Sequence, residues 1–441
     1  MRKCICALAS AGLWVMAAQA GPLEKSIRPM SRPGVAPETL YLASGVVQRS
    51  LRPSMRPGSA LKAVDPVKAS KGFQTWVAGF RDRALARGVS AAVFDRAFKG
   101  ITYDPKVIRR DRNQSEFTKT IWDYLDTAVS DIRIANGRQA LNKHRRTLDQ
   151  IETRYGVDKQ IVLAIWGLES AYGAFRGSDS TIRSLATLAY DTRRAGFFEG
   201  QLIAALKILQ NGDVSVADMK GSWAGAMGHT QFMPTSFLAY AVDFTGDGKR
   251  DIWSDDPSDA LASAAAYLKH FGWTKGQPWG VEVNLPKGFD YTLANRKILK
   301  SPDEWAQIGV LDTGNRPVAD HGAASILLPA GGNGAAFMIF DNFSVIERYN
   351  TADAYVIGVG HLGDRIMGKP PIRAKWPRGD RALTYDERKE LQQLLTSKGF
   401  DTRKIDGKIG PLTINAVRAY QLAKGLLPDG YASLRLLKHL K

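Results

Sequence analysis

Apolar residues recur at helical spacing along most of the chain between Phe73 and Gly272. Phe73, Trp76, Val77 and Phe80 share one face, Phe117, Ile121, Tyr124 and Leu125 another, and Leu148, Ile151 and Tyr155 a third. The run from Ile161 to Leu168 is apolar all round, and Asp158 is placed to cap it, with Lys159 and Gln160 in the first turn. Between Gln277 and Phe343 the pattern changes. Val281-Glu282-Val283, Ser325 to Leu328 and Phe337 to Phe340 are short Val-, Ile- and Phe-rich runs between Gly/Pro turns, and they predict strands. Helical spacing resumes from Ser344 to Met367. The expected fold is mainly α (α+β), with a small inserted strand region.

The two ends break this pattern. Met1-Arg2-Lys3, an apolar run from Ile5 to Ala18 and the small-residue site Ala18-Gln19-Ala20 predict a cleaved signal peptide over 1–20. The apolar run is too short to span a bilayer, which takes about 20 residues. Cys4 and Cys6 both fall inside it, and neither stands at the cleavage point, where a lipid-modified cysteine would. Residues 21–70 then read as a Pro-rich basic linker: seven prolines, with eight basic residues against three acidic ones. A second Pro/Gly-rich linker, 369–380, separates a main region over 71–368 from a tail over 381–441.

Composition narrows the partners. The 441 residues are 44% hydrophobic, which excludes a wholly disordered or collagen-like chain. A net charge of +18 asks for a polyanion. Nucleic acid is a poor candidate, because an exported protein does not meet it. No other stretch is long and apolar enough for a membrane span. No His-Glu-x-x-His or Gly-x-Ser-x-Gly motif is present.

Two segments carry candidate chemistry. In Ile161-Val-Leu-Ala-Ile-Trp-Gly-Leu-Glu169-Ser170-Ala-Tyr172-Gly173, eight residues without charge lead into one carboxylate. Desolvation beside such a surface favours the protonated form, which a general acid for glycosidic cleavage needs. A solvated helix-end glutamate is the plainer alternative. The second segment, Gly221-Ser222-Trp223 through Gln231-Phe232-Met233-Pro234, has no core periodicity and reads as a loop over which a polymer can approach the backbone. In the tail, Asp406-Gly407, Gly410-Pro411-Leu-Thr413, Ala416-Val417 and Gln421 mark tight turns between short helices.

The tail motifs resemble the peptidoglycan-binding domain of cell-wall enzymes, from about Thr384 to Leu440, which implies a three-helix module. Gly-Leu-Glu169-Ser-x-Tyr-Gly and Ala-Gly-Ala-Met227-Gly-x-x-Gln231-Phe-Met-Pro resemble the B-type lytic murein transglycosylases. Tyr240 to Gly248 and Asn342 to Asn350 add to that resemblance, which runs from about Phe73 to Gly368. It implies a lysozyme-like helical core, a periplasmic location and cleavage of the β-1,4 bond between N-acetylmuramic acid and N-acetylglucosamine, with a 1,6-anhydromuramoyl product. By motif, Glu169 matches the single catalytic acid/base, and Ser222 and Gln231 match positions that contact the glycan. Tyr124, Tyr267, Tyr349, Asn350 and Tyr355 fall where the family lines its groove, the tyrosines offering ring faces to sugars. His229-Thr230 departs from the family pattern and bears on substrate preference.

Most glycosidases use two carboxylates. The acids nearest Glu169 along the chain are Glu152, Asp158 and Asp179, none within its motif, so assistance by the substrate's own N-acetyl group is implied. No cofactor is expected for catalysis. Asp243-Phe-Thr245-Gly-Asp247-Gly248 opens like a calcium loop. The resemblance implies an EF-hand-like structural Ca2+ site with Asp243, Thr245, Asp247, Lys249 and Asp259; Asp251, Asp255 and Asp256 also lie within reach. Alternatively, Asp256 caps the next helix, with Pro257 and Asp259 in its first turn, and the two readings are compatible. Peptidoglycan, through its glycan strands and stem peptides, is the expected partner, with other cell-wall enzymes beside it. A hydrolytic muramidase and a non-catalytic wall-binding scaffold are the competing functions.

Overall fold

The computed structural model describes residues 66–112 and 119–441. The expected signal segment, both cysteines and Phe117 lie outside those residues. The first helix, Pro66–Ala86, begins five residues inside the expected linker. Proline is at home in a first helical turn, where its missing N–H has no partner to lose. Phe73 and Phe80 of this helix are fully buried, and Trp76 stacks on Phe80 at 5.1 Å. Among the described residues, no helix is long and apolar enough to cross a membrane.

The helix that matters most is Lys159–Ser170. It is buried on nearly every side, and the helices Asp131–Lys143, Arg145–Tyr155, Ser258–His270 and Asp353–Ile366 pack around it. This explains why its sequence is apolar all round rather than on one stripe. Its closest neighbour is Asp353–Ile366, where a side chain on Gly363 would come within 3.1 Å of the Gln160 carbonyl. Asp158 does sit at the N-cap, but its side chain makes no cap bond. Its Oδ2 instead accepts from Trp273 Nε1 at 2.9 Å and from the Gly276 amide at 3.0 Å, fastening the helix start to the turn that leads into the strand region.

The inserted region is a four-stranded antiparallel sheet in the order Leu311–Asp312, Gly280–Asn284, Ala336–Ile339, Ser325–Leu327. It closes over its own small core around Trp305, Val310 and Met338. The single helical run expected over 344–367 is two helices, Asp341–Tyr349 and Asp353–Ile366. Asn350 makes the corner: its backbone is extended, and its Oδ1 accepts from the Ala352 amide at 3.0 Å. Asparagine does this readily, because its side chain imitates a backbone carbonyl in a turn.

The tail forms three helices, Tyr385–Ser397, Pro411–Ala423 and Leu434–Leu440, around Leu391, Leu395, Val417, Tyr420 and Leu437. The motif glutamine Gln421 accepts from the Gly430 amide and donates to Asp429, each at 2.8 Å, which shapes the last turn. The segment 369–380 is not a free spacer but a strap. The amides of Arg373 and Ala374 donate to the Glu282 carboxylate, and Arg378 makes two bonds to Asp126, at 2.7 and 2.8 Å. Further on, Asp429 accepts from the Gly332 amide and Arg418 donates to the Ala294 carbonyl, so the tail module sits against the strand region.

Candidate active site

Glu169 is the next-to-last residue of Lys159–Ser170, and it is 8% exposed. It is therefore a buried helix-end carboxylate, not a solvated one. The helix stops abruptly: Ala171, Tyr172 and Gly173 all have positive φ (50°, 58° and 87°). Left-handed backbone at two non-glycine residues is uncommon and is held only by firm surroundings. The holds are visible. Tyr172 Oη donates to the Arg133 carbonyl at 2.9 Å, and Arg133 in turn donates to the Gly167 carbonyl. Ser170 Oγ accepts from the Gly173 amide at 3.0 Å and donates to the His229 carbonyl at 2.6 Å. Burial pushes the Tyr172 phenol well above its usual range, so it stays a donor.

Tyr355, near the start of Asp353–Ile366, donates its hydroxyl to Glu169 Oε1 at 2.7 Å. Half-buried Tyr124, on the helix Ile121–Ala128, lies over Gly358 one turn further along. Tyr349 donates to the Thr230 carbonyl at 2.7 Å, and Tyr267 to the Arg348 carbonyl at 2.6 Å. The expectation of exposed ring faces is not met at three of the four tyrosines: Tyr267, Tyr349 and Tyr355 are 5%, 1% and 3% exposed. The rings of Tyr267 and Tyr349 pack on each other and on Phe232. These three rings are packed into the interior rather than laid open as a platform.

The segment 221–236, expected as a loop open to a polymer, is mostly interior. Met227 and Phe232 bridge as a tight hairpin, and Thr230 is fully buried. Gln231 has positive φ (51°), and its side-chain NH2 donates to the Arg176 and Gly228 carbonyls at 3.0 and 2.8 Å, leaving Oε1 for another partner. Half-buried Ser222 accepts from the Ala226 amide through Oγ at 3.1 Å. Asn350 sits at the corner between Tyr349 and Tyr355. Glu152 is engaged by the Lys159 amide, Asp158 by Trp273, and Asp179 by Arg110 at 2.9 Å. All three are thus engaged by other groups.

Residues 72–364 match the family model described as the transglycosylase SLT domain, and 384–440 match a putative peptidoglycan-binding domain. The chain belongs to the transglycosylase SLT family. Membrane-bound lytic murein transglycosylase B of Escherichia coli K12 is 35% identical over 250 residues, 55% of this chain and 66% of that protein, slightly less than two thirds of its length. SltB3 of Pseudomonas aeruginosa, solved in complex with NAG-anhNAM-pentapeptide, superposes with a TM-score of 0.81 at 49% identity, over 83% of this chain and 99% of that one. The Escherichia coli lytic transglycosylase SLT35, solved in complex with calcium, gives 0.57 at 30% identity, over 68% and 93%. The lysozyme-like helical core with a peptidoglycan-binding module is therefore the fold of this SLT protein, and the expectation of a peptidoglycan lytic transglycosylase stands on that membership.

Within this SLT fold the expected acidic loop also assembles. Carboxylate oxygens of Asp243, Asp247 and Asp259 lie within 4.8 Å of one another. Asp243 accepts from the Gly246 and Gly248 amides, Asp247 from Lys249, and Asp259 from Phe244, Thr245 and Asp251. Burial, outweighing those donors, pushes Asp259 above the usual carboxylate range, and the Asp243 charge adds to this. No basic side chain among the described residues pairs with the three. Such a set fits a hard cation bound through oxygen, with Thr245 Oγ1 and the Lys249 carbonyl on the same loop. Asp251, Asp255 and Asp256 are occupied elsewhere: Asp251 holds the Trp253 and Ser254 amides, Asp255 pairs with Arg176, and Asp256 caps Ser258.

Sequence reasoning missed the residues that join the two sites. His229 Nδ1 accepts from Trp166 Nε1 at 3.0 Å, and its Nε2 donates to the Ser254 carbonyl at 2.7 Å. Burial lowers its pKa, and the nearby Arg176 charge reinforces this, so the ring is neutral. The unusual pair His229-Thr230 is thus a buried brace between the catalytic helix and the loop that follows the acidic cluster. Its apolar neighbour Met227 gave the only signal that the segment is interior.

Proposed function

We propose that this SLT protein is a lytic transglycosylase that cuts between N-acetylmuramic acid and N-acetylglucosamine in peptidoglycan and leaves a 1,6-anhydromuramoyl end. The observation that carries the reading is Glu169: one buried carboxylate, held by Tyr355, with the neighbouring acids engaged elsewhere. Glu169 gives its proton to the leaving O4 as the C1–O4 bond breaks. The muramoyl N-acetyl oxygen supports C1, an accepted exception to the two-carboxylate rule. Glu169, now ionised, takes the O6 proton while O6 bonds to C1, so the acid is restored and no water is consumed. Ser222, the Oε1 of Gln231 and Asn350 supply polar contacts that orient the glycan.

The protein acts after export, in the periplasm, with the tail module holding it to the wall. Calcium in the Asp243, Asp247 and Asp259 cluster is structural: it neutralises the cluster and takes no part in proton transfer. Mass analysis of products from purified sacculi tests the reaction. Anhydro products are one water lighter than hydrolysis products, and hydrated ends alone would make the protein a muramidase. Absence of any release by wild type would leave only a wall-binding scaffold.

A further inference from the structure

The strap lines a cavity of about 700 Å3 beside the helices that carry Tyr124 and Tyr355. Its walls come from the ends of Ile121–Ala128 and Asp131–Lys143, from the C-terminal half of Asp353–Ile366, and from strap residues around Ile372 and Trp376. The volume lies inside the range of small-ligand sites.

Three polar features converge there. His361 is 9% exposed, lines the cavity and has no hydrogen-bond partner among the described residues. Its ring nitrogens are not sealed off by protein, so they open onto the cavity and stay available to a ligand. Burial, with the Arg365 charge beside it, holds its pKa down at about 4, so it presents one donor and one acceptor at neutral pH. Arg365 and Lys375 line the same cavity, and neither pairs with a carboxylate; Arg365 spends one donor on the Lys369 carbonyl. Asp126 is neutralised by Arg378, and Asp131 sits in the first turn of its own helix, where an acid is favoured.

We propose that this cavity is a peptide-binding site, taking a short peptide with a free carboxylate and small apolar side chains. The carboxylate meets Arg365 and Lys375 at the rim. A peptide amide bonds to His361 at the floor. Methyl groups pack on Ile372, Val129 and Trp376. The stem peptide of peptidoglycan has this chemistry. That choice of source rests on the peptidoglycan reading above, whereas the carboxylate chemistry does not.

Titration calorimetry on the full-length protein tests the site. The probes are the free stem pentapeptide, the same peptide with both C-terminal and side-chain carboxylates amidated, and trialanine. The pentapeptide binds, the amidated form binds at least tenfold more weakly, and Arg365→Gln with Lys375→Gln costs tenfold or more. His361→Phe has the same effect; should it fail to fold, the exposed Lys375→Gln alone still reads out. No binding at millimolar pentapeptide, or binding that these substitutions leave unchanged, overturns the proposal. Equal affinity for trialanine supports the carboxylate site and assigns it to peptides at large. Glu169→Gln leaves the titration unaltered, so failure of this site and failure of the transglycosylase reading are separate results.

Discussion

The molecule holds two carboxylate sites that are built in opposite ways. At Glu169 one buried carboxylate accepts a hydrogen bond from the phenol of Tyr355. At the acidic loop three carboxylates crowd together, and six backbone amides donate to them. The Tyr355 donor at Glu169 is a neutral phenol, which leaves proton exchange within reach. The other site sets three carboxylates close together on a frame of fixed donors, where burial and the Asp243 charge hold Asp259 above the usual range and a bound cation would relieve both.

The sharpest break of that comparison is Glu169→Gln. Removing the only group that both gives and takes the proton should cut turnover on sacculi by about 1,000-fold or more, while pull-down on wall material is unchanged. Wild-type-like muropeptide release would end the assignment. Next in size is Tyr355→Phe. Its hydroxyl bond favours the ionised acid, so its loss favours the protonated one and moves the alkaline limb of the pH–rate profile upward. Turnover falls by roughly tenfold to a hundredfold, the scale of one well-placed hydrogen bond. A lower rate with an unmoved pH profile would make Tyr355 a packing residue only.

The acidic loop predicts the reverse: large effects on stability and small ones on chemistry. Calcium at a hundredfold excess over its dissociation constant adds about 2.7 kcal/mol, which raises Tm by several degrees. Asp259→Asn removes that rise, and chelator then leaves the variant's Tm unchanged. Differential scanning calorimetry with and without calcium decides. A variant that keeps its calcium-dependent Tm would show the ion binding elsewhere.

Much of this was legible in the sequence, for identifiable reasons. The catalytic helix announced itself because burial on all sides demands an unbroken apolar run, and the tail because its turns need Asp-Gly and Gly-Pro. Three things were hidden. The corner at Asn350 depends on one side-chain bond that periodicity does not register. Tyr267 and Tyr349 looked like sugar platforms because an aromatic residue reads the same whether its faces meet solvent or other rings. The strap looked like a linker because its order comes from Glu282 and Asp126, about 90 and 250 residues earlier. Local composition reports local structure, and these contacts are not local.

His229 offers the finest test, because it spans both sites. Its pKa is lowered in the folded chain by burial, so the unfolded chain binds the proton more readily. Stability from this group is complete above the unfolded value near 6.5 and is lost as pH falls toward the depressed folded value. Protonation would put a charge between Trp166 Nε1 and Arg176, neither of which can accept a proton from the ring. His229→Gln keeps a donor and an acceptor but cannot titrate. Between pH 7 and 5 its Tm should therefore fall less than that of wild type, by roughly one to three degrees. Parallel curves for the two proteins would mean that His229 takes up its proton equally in the folded and unfolded chain, so that burial does not hold the brace neutral.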